Sequence, residues 1–403
     1  MPKSSYKLTK IACYLGYITQ AIAVNLLPLL YVTFQKEFSV SLSQLGVLVT
    51  LLFVIQIAVD LLAARYGKLL SYRWGSVMAF LFATAGLVLI CVLPTVFHDP
   101  YIGLLSASIL LSIGGGLIEV LISPIMDAIP QEGKAGEMSL LHSFYCWGVV
   151  AVILLSTVYF SLIGIEHWRW LMLLWAILPA FTAALFTVVP VPPRPDERVE
   201  SHKTSPSFAR SALFWLMMAL MLFSGASELA PAQWASFFAE HGLGVSKTFG
   251  DLLGPCAFAL AQGLSRVAFS RMARRFSPRR LLAIHAVGCV TAYAVIVLAS
   301  HPMVSLLGFC LCGWFVGPMW PGILSLCSER FPAGGTAMFA LLALCGDIGC
   351  SVAPFAVGAV TDYLMTDASP AVAMRGGFAV CMVFPALLVV GLMLMRKSKS
   401  MHE

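Results

Sequence analysis

Apolar residues in this chain do not alternate with polar ones; they run. Windows of roughly 20 residues, the length a helix needs to cross a bilayer core about 30 Å thick, fit the sequence about twelve times. In order they cover residues 11–34, 42–64, 75–97, 101–128, 138–164, 168–189, 211–237, 249–271, 281–300, 303–327, 336–364 and 371–395. Glycine, proline and charged residues collect between the runs and mark turns. The pattern predicts an all-α membrane protein with twelve transmembrane helices. Composition agrees, because 60% hydrophobic and 11% charged residues lie far from the usual make-up of a soluble domain.

Charge then sets the orientation. With twelve spans both termini share a side, and about twenty basic residues fall on it, from Lys3, Lys7 and Lys10 to Arg396, Lys397 and Lys399. About four lie opposite: Lys36, Arg169, Lys247 and Arg375. Cytoplasmic loops retain Lys and Arg, so both termini are expected in the cytoplasm, with the protein in a plasma membrane such as the bacterial inner membrane. The net charge of +6 is read as this orientation signal, and it gives no reason to invoke nucleic acid. Lys7 and Lys10 before an apolar run resemble the start of a secretory signal. The run continues to about Phe34, however, and cleavage would leave the basic asymmetry unexplained, so a retained first helix is expected. All eleven cysteines fall inside apolar segments, which suggests neither a disulfide framework nor a metal site.

The long polar interruption around residues 191–210 contains Pro192-Pro193, Pro195 and Asp196-Glu197-Arg198, and reads as a solvated cytoplasmic linker. It separates an amino-terminal six-helix bundle, residues 1–190, from a carboxy-terminal one, residues 211–403. The halves repeat weakly. Arg65-Tyr66-Gly67-Lys68 follows the second helix, and Arg274-Arg275-Phe276-Ser277 with Arg279-Arg280 follows the eighth.

Two six-helix bundles with a basic loop after the second helix of each resemble the major facilitator superfamily, in which solute sits between the halves near the membrane midplane. The usual motif there has an Asp directly before the first Arg; here Ala64 and Arg274 stand in the acidic positions. Asp60, one turn earlier, is the candidate to pair with Arg65 or Lys68 as a conformational latch, against the alternative of a plain charge at a helix end. Within the helices the chain is similar to the fucose–galactose–glucose proton symporter family. The stretches concerned are Gly115-Gly116-Leu117-Ile118-Glu119 with Pro124, Leu141-His142-Ser143-Phe144, Trp320-Pro321-Gly322-Ile323, and Ala353-Pro354 with Gly358 and Asp362. The resemblance implies that Glu119 takes part in proton handling and sugar binding and that His142 lines the cavity. Where that family has a first-helix Asp for proton coupling, this chain has Pro28, so coupling through that position is not expected.

Glu119 carries chemistry without the resemblance. A charge at the centre of a span costs about 2.5–3.5 kcal/mol on insertion scales, and such residues usually face a cavity and mark a path for solute or protons. Burial disfavours ionisation, so the carboxyl can take up and release a proton as it opens to water, and it offers sugar hydroxyls a donor or an acceptor. Coupling follows if solute binds well to one protonation state only. The plainer alternative is a structural Glu satisfied by a neighbouring helix. Gln20 and Asn25, the sole asparagine, add amides on the first helix, which suit sugar hydroxyls but also tie helices together. In the second half Glu228, Gln233, Gln262 and Trp320 supply the acid, amides and aromatic face that a polyol pocket needs. Asp347, mid-helix within Gly346-Asp347-Ile348-Gly349, is the second proton-coupling candidate; its alternative is an ion pair with Arg266.

These features predict a secondary active transporter moving a sugar or related small polar solute by alternating access. Proton symport is expected and sodium is kept open, with no cofactor and a monomeric unit in the bilayer. The competing readings are an efflux antiporter and a non-transporting solute sensor on the same fold. Enzyme activity is not expected: there is no phosphate-cradling Gly-x-x-x-x-Gly-Lys loop, no Gly-x-Ser-x-Gly nucleophile and no metal-ligand spacing.

Overall fold

A computed structural model describes residues 6–40, 42–194, 207–246, 249–250 and 252–395, without the side chains at 32, 42, 43, 46, 49, 50, 68, 207 and 241. Its regular elements are all helical. They are α1 (Lys7–Asn25), α2 (Tyr31–Phe38), α3 (Leu42–Tyr66), α4 (Tyr72–Val96), α5 (Pro100–Ala128), α6 (Lys134–Ile163) and α7 (Trp168–Val188), then α8 (Ala212–Phe237), α9 (Ala257–Met272), α10 (Pro278–Leu298), α11 (Pro302–Val316), α12 (Met319–Arg330), α13 (Gly335–Leu364), α14 (Pro370–Cys381) and α15 (Val383–Leu394). Eleven helical stretches among the described residues are long and apolar enough to cross a membrane. Helix α3, with 25 residues, is about 37 Å long at 1.5 Å per residue and completes the twelve.

Several starts follow from local chemistry. Helices α5, α10, α11 and α14 each open on a proline, whose missing N–H is one that a helix start leaves unbonded anyway. Asp99 caps α5 by accepting from the Tyr101 N–H at 2.9 Å.

Among the described residues the eighth expected span opens as a π-helix, Leu252–Cys256, around Pro255, and three others are interrupted at proline. The first changes to a 3-10 turn at Leu27–Leu30, where Pro28 cannot donate, before resuming as α2. The tenth breaks between Val316 and Met319 at Gly317-Pro318. The last breaks at Met382, where Pro385 cannot return the bond that the Cys381 carbonyl would otherwise receive.

The chain divides into two compact units: residues 1–203 with 332–344, and residues 204–331 with 345–403. In the first, α5 packs on α4, α3 and α1, and α1 also packs on α6. The α4–α5 contact is close because it is made through glycine. A Cβ on Gly86 would lie 2.6 Å from the Leu111 nitrogen, and one on Gly114 would lie 2.6 Å from the Ala83 nitrogen. A core of aliphatic side chains surrounds the fully buried Trp168, which meets Phe34 and Phe38 edge-on. Its indole N–H donates to Glu37 at 2.8 Å, and Glu37 also pairs with Arg169 at 2.5 Å. Arg73 closes the other end of the unit. Its guanidinium donates to the carbonyls of Phe186, Thr187 and Val189 at 3.0, 2.6 and 2.8 Å, the groups that the end of α7 leaves open.

In the second unit α11 packs on α9 and α10, and α8 packs on α11, α12 and α15. Helix α8 also meets α13 backbone to backbone: a Cβ on Gly225 would overlap the Gly346 carbonyl, and one on Gly349 would overlap that of Leu222. Leu154, Leu155, Val158 and Leu162 on α6, and Ile177, Phe181 and Val188 on α7, point outward. So large an apolar surface is unstable in water and is what a helix shows to lipid.

Candidate functional site

The carboxylate of Glu119 is half-buried on α5, five residues beyond Gly114, where α5 lies close against α4. It accepts hydrogen bonds from two side-chain amides of other helices. Gln20 Nε2 on α1 donates to Oε2 at 2.7 Å, and Gln56 Nε2 on α3 donates to the same oxygen. Both glutamines are more than nine-tenths buried. Three helices therefore meet at one acid, and when it is ionised such bonds are charge-assisted and stronger than those between neutral groups. The group can bind a proton, and its two amides keep acceptor oxygens that can serve a polyol.

One turn further along α5 is a second buried polar group. The Ser123 hydroxyl lies 2.7 Å from that of Tyr17 on α1, and His142 Nε2 on α6 lies 3.0 Å from Tyr17 and 3.3 Å from Ser123. All three residues are almost wholly buried. His142, expected as a cavity-lining residue, is thus built into a hydroxyl–imidazole cluster. Toward the basic end of the unit come Lys10 with Glu137 at 2.9 Å and Lys134 with Asp127 at 3.6 Å. Asn25 takes a different place from Gln20: it ends α1 and donates to its own helix at Ala21 O, 3.0 Å away.

The second unit has its own acid–amide pair. Gln262 on α9 donates to Glu228 on α8 at 2.5 Å, and Arg266 Nη2 lies 3.4 and 3.5 Å from the two carboxylate oxygens. Arg266 also donates from Nε to the Gly317 carbonyl at 2.7 Å. That carbonyl needs a side-chain donor because its regular helical partner would be Pro321, which has no N–H. His285 Nδ1 lies 3.1 Å from Phe315 O at the same break; a carbonyl only accepts, so Nδ1 carries the proton.

The other expected residues are distributed around these groups. Gln233 is exposed on the last turn of α8, away from the Glu228–Gln262 contact. Trp320 has its ring against Gly346, beside the buried Asp347 on α13. Trp234 donates its indole N–H to Pro354 O at 3.0 Å. In the latch region Asp60 is fully buried on α3, while Arg65 is exposed with its guanidinium 5.9 Å from the Tyr66 ring centre. The side chain of Lys68 lies outside the described residues.

Sequence reasoning missed Gln56, Tyr17 and Ser123. Their signal is helical spacing: Ser123 is four residues from Glu119 and Tyr17 three from Gln20, each on the same helix face as the residue already singled out. Gln56 stands alone among Val54, Ile55, Ile57 and Ala58.

Helices long enough to span a bilayer, an outward apolar surface and buried acids tied across helices define a polytopic membrane protein of transporter architecture. The family model of the Major Facilitator Superfamily matches residues 13–354 and, separately, 252–400, and the chain belongs to that family. No curated protein matches it by sequence. Among solved structures it is similar to the E. coli fucose:proton symporter, with 17% identity, a TM-score of 0.77 and coverage of 98% of this chain and 100% of that one. It is also similar to a proton:xylose symporter bound to 6-bromo-6-deoxy-D-glucose, with 13% identity, a TM-score of 0.81 and coverage of 98% and 96%. At these identities the likeness shows the fold.

Proposed function

We propose that the chain is a secondary active transporter that carries a monosaccharide or related small polar solute inward with a proton, by alternating access. It would do so in a bacterial inner membrane, with both termini in the cytoplasm. The observation that carries this reading is Glu119, a mid-span carboxyl held by the amides of Gln20 and Gln56 and still partly open. An acid and two amides offer the mixed donors and acceptors that sugar hydroxyls require, and the acid alone among the three exchanges a proton. The similar structures include a fucose:proton and a proton:xylose symporter, which supports the same solute class. In the second unit Glu228 and Gln262 are the matching pair, with Arg266 balancing the charge; Trp320 and Asp347 complete the proposed solute-binding and proton-coupling set.

The test is uptake into proteoliposomes across a panel of labelled hexoses, pentoses, deoxyhexoses and amino sugars, with a proton gradient, a sodium gradient or neither. Accumulation that follows the proton gradient and is lost in Glu119→Gln is expected. Accumulation that follows sodium alone, or a Glu119→Gln protein that still accumulates solute under the proton gradient, refutes the assignment. Binding of a sugar with no exchange across the membrane would favour a sensor.

A further inference from the structure

We propose that Ser123, Tyr17 and His142 form the route by which Glu119 gives up its proton toward the Lys10–Glu137 end of the first unit, with His142 as the station that holds it. The proposal rests on the reading of Glu119 as the proton-binding residue.

Geometry supplies the route. Glu119, Ser123 and Asp127 stand at i, i+4 and i+8 on α5, so all three share one helix face. On α1, Gln20, Tyr17 and Lys10 recur at spacings of three and seven and form a second such line. The two lines meet twice, at Gln20 with Glu119 and at Tyr17 with Ser123. His142 closes the second meeting from α6. Between Glu119 and Ser123 the gap is one helical turn, about 5–6 Å between Cβ atoms, a distance that a single water can span.

The step balances. The Glu119 carboxyl gives its proton through that water to the Ser123 hydroxyl, which passes its own to His142 Nε2, directly or by way of the Tyr17 hydroxyl. The products are a carboxylate and an imidazolium. His142 then releases one proton to water entering from the Lys10–Glu137 end, and the imidazole and both hydroxyls finish as they began. The first transfer leaves the net charge of the bundle unchanged, and the new positive ring lies beside Ser123, itself one turn from the new carboxylate. That matters because an uncompensated charge inside a membrane protein is costly.

The charged and titratable groups facing this column are few. Lys10, Cys13 and Tyr14 come from α1, Asp127 from α5, and Lys134, Glu137 and Cys146 from α6. Lys10 pairs with Glu137 and Lys134 with Asp127, so the end of the column is balanced in charge. Tyr14 stacks on Phe144 at 4.3 Å.

The experiment compares two rates in one proteoliposome preparation, with labelled L-fucose and D-xylose as probes. Exchange of labelled for unlabelled sugar needs only reorientation of the loaded carrier, whereas net uptake driven by a proton gradient needs proton release in every cycle. His142→Gln keeps an amide for the two hydroxyls but cannot hold the proton, and Ser123→Ala is the second variant should the first fold poorly. Each is expected to lower the ratio of net uptake to exchange by about tenfold or more, positioned proton transfer contributing about 10²–10⁴-fold where no water takes its place. Glu119→Gln is run beside them. If it lowers the ratio while His142→Gln and Ser123→Ala do not, the relay is overturned and the role of Glu119 stands. If Glu119→Gln leaves the ratio intact, both readings fall. A His142→Gln protein that loses exchange and net uptake equally has lost a structural or solute contact, which also overturns the relay. If the unaltered protein moves neither of these nor any other sugar of the panel above, the functional reading fails and takes the relay with it; a panel sugar that it does move replaces the two probes.

Discussion

Replacing Glu228 by Gln removes the charge facing Arg266 and changes little else in size. Arg266 is the more deeply placed partner, with a side chain 3% exposed against 18% for Glu228, and the closest approach is 3.4 Å. Removing one member of a buried pair typically costs about 3–5 kcal/mol because the other charge stays desolvated. The partial exposure of Glu228 puts Glu228→Gln near the lower end, about 3 kcal/mol. Arg266→Met costs a similar amount and adds the loss of the donor to Gly317 O, about 1–3 kcal/mol for a buried carbonyl left open. The double variant removes both charges at once, so what remains is mainly the carbonyl. Both single-variant charge penalties then vanish, so by these figures its cost falls short of the sum of the singles by up to about 6 kcal/mol; a shortfall of at least about 2–3 kcal/mol, the upper range usual for contacting residues, is expected. The assay is equilibrium unfolding in mixed micelles of the four proteins, read by tryptophan fluorescence and fitted as a double-mutant cycle. Single-variant costs that add to within about 0.5 kcal/mol would show two independent sites and refute the pairing.

Gly225→Ala is expected to destabilise the protein by about 1–3 kcal/mol, because the new methyl overlaps the Gly346 carbonyl and α8 and α13 must part; the same unfolding assay checks it. Gln56→Leu removes one of the two amides on Glu119 and is expected to weaken sugar binding by about tenfold, the worth of one hydrogen bond to a charged group. Calorimetric titration with the sugar that is transported measures it, and unchanged affinity would remove Gln56 from the site.

The spans were legible because lipid imposes one rule on every helix: about 20 apolar residues in a row. Glu119 was legible for the converse reason, as an acid well inside its span, where Asp127 lies at the end. The interruptions at Leu27–Leu30 and at Gly317-Pro318 were not read, since hydropathy averages over a window and a missing N–H does not change the average. Partners were harder still. Gln56 and Glu119 are 63 positions apart and Tyr17 and His142 are 125 apart; nothing local states which helices are neighbours. Once α1, α3, α5 and α6 are known to touch, the i+3 and i+4 spacings bring the same residues together. Asn25 shows the reverse limit: its amide suits a sugar, yet its bond goes to its own helix.

The arginine at position 266 has two obligations, one of which proline created. With one edge it faces Glu228, and with Nε it holds the carbonyl that Pro321 cannot serve. A lysine has a single compact ammonium and cannot present donors on two separate edges of one rigid plane. The bend between α11 and α12 and the acid on α8 are thus fastened by the same planar group, and a substitution that frees one of them also unfastens the other.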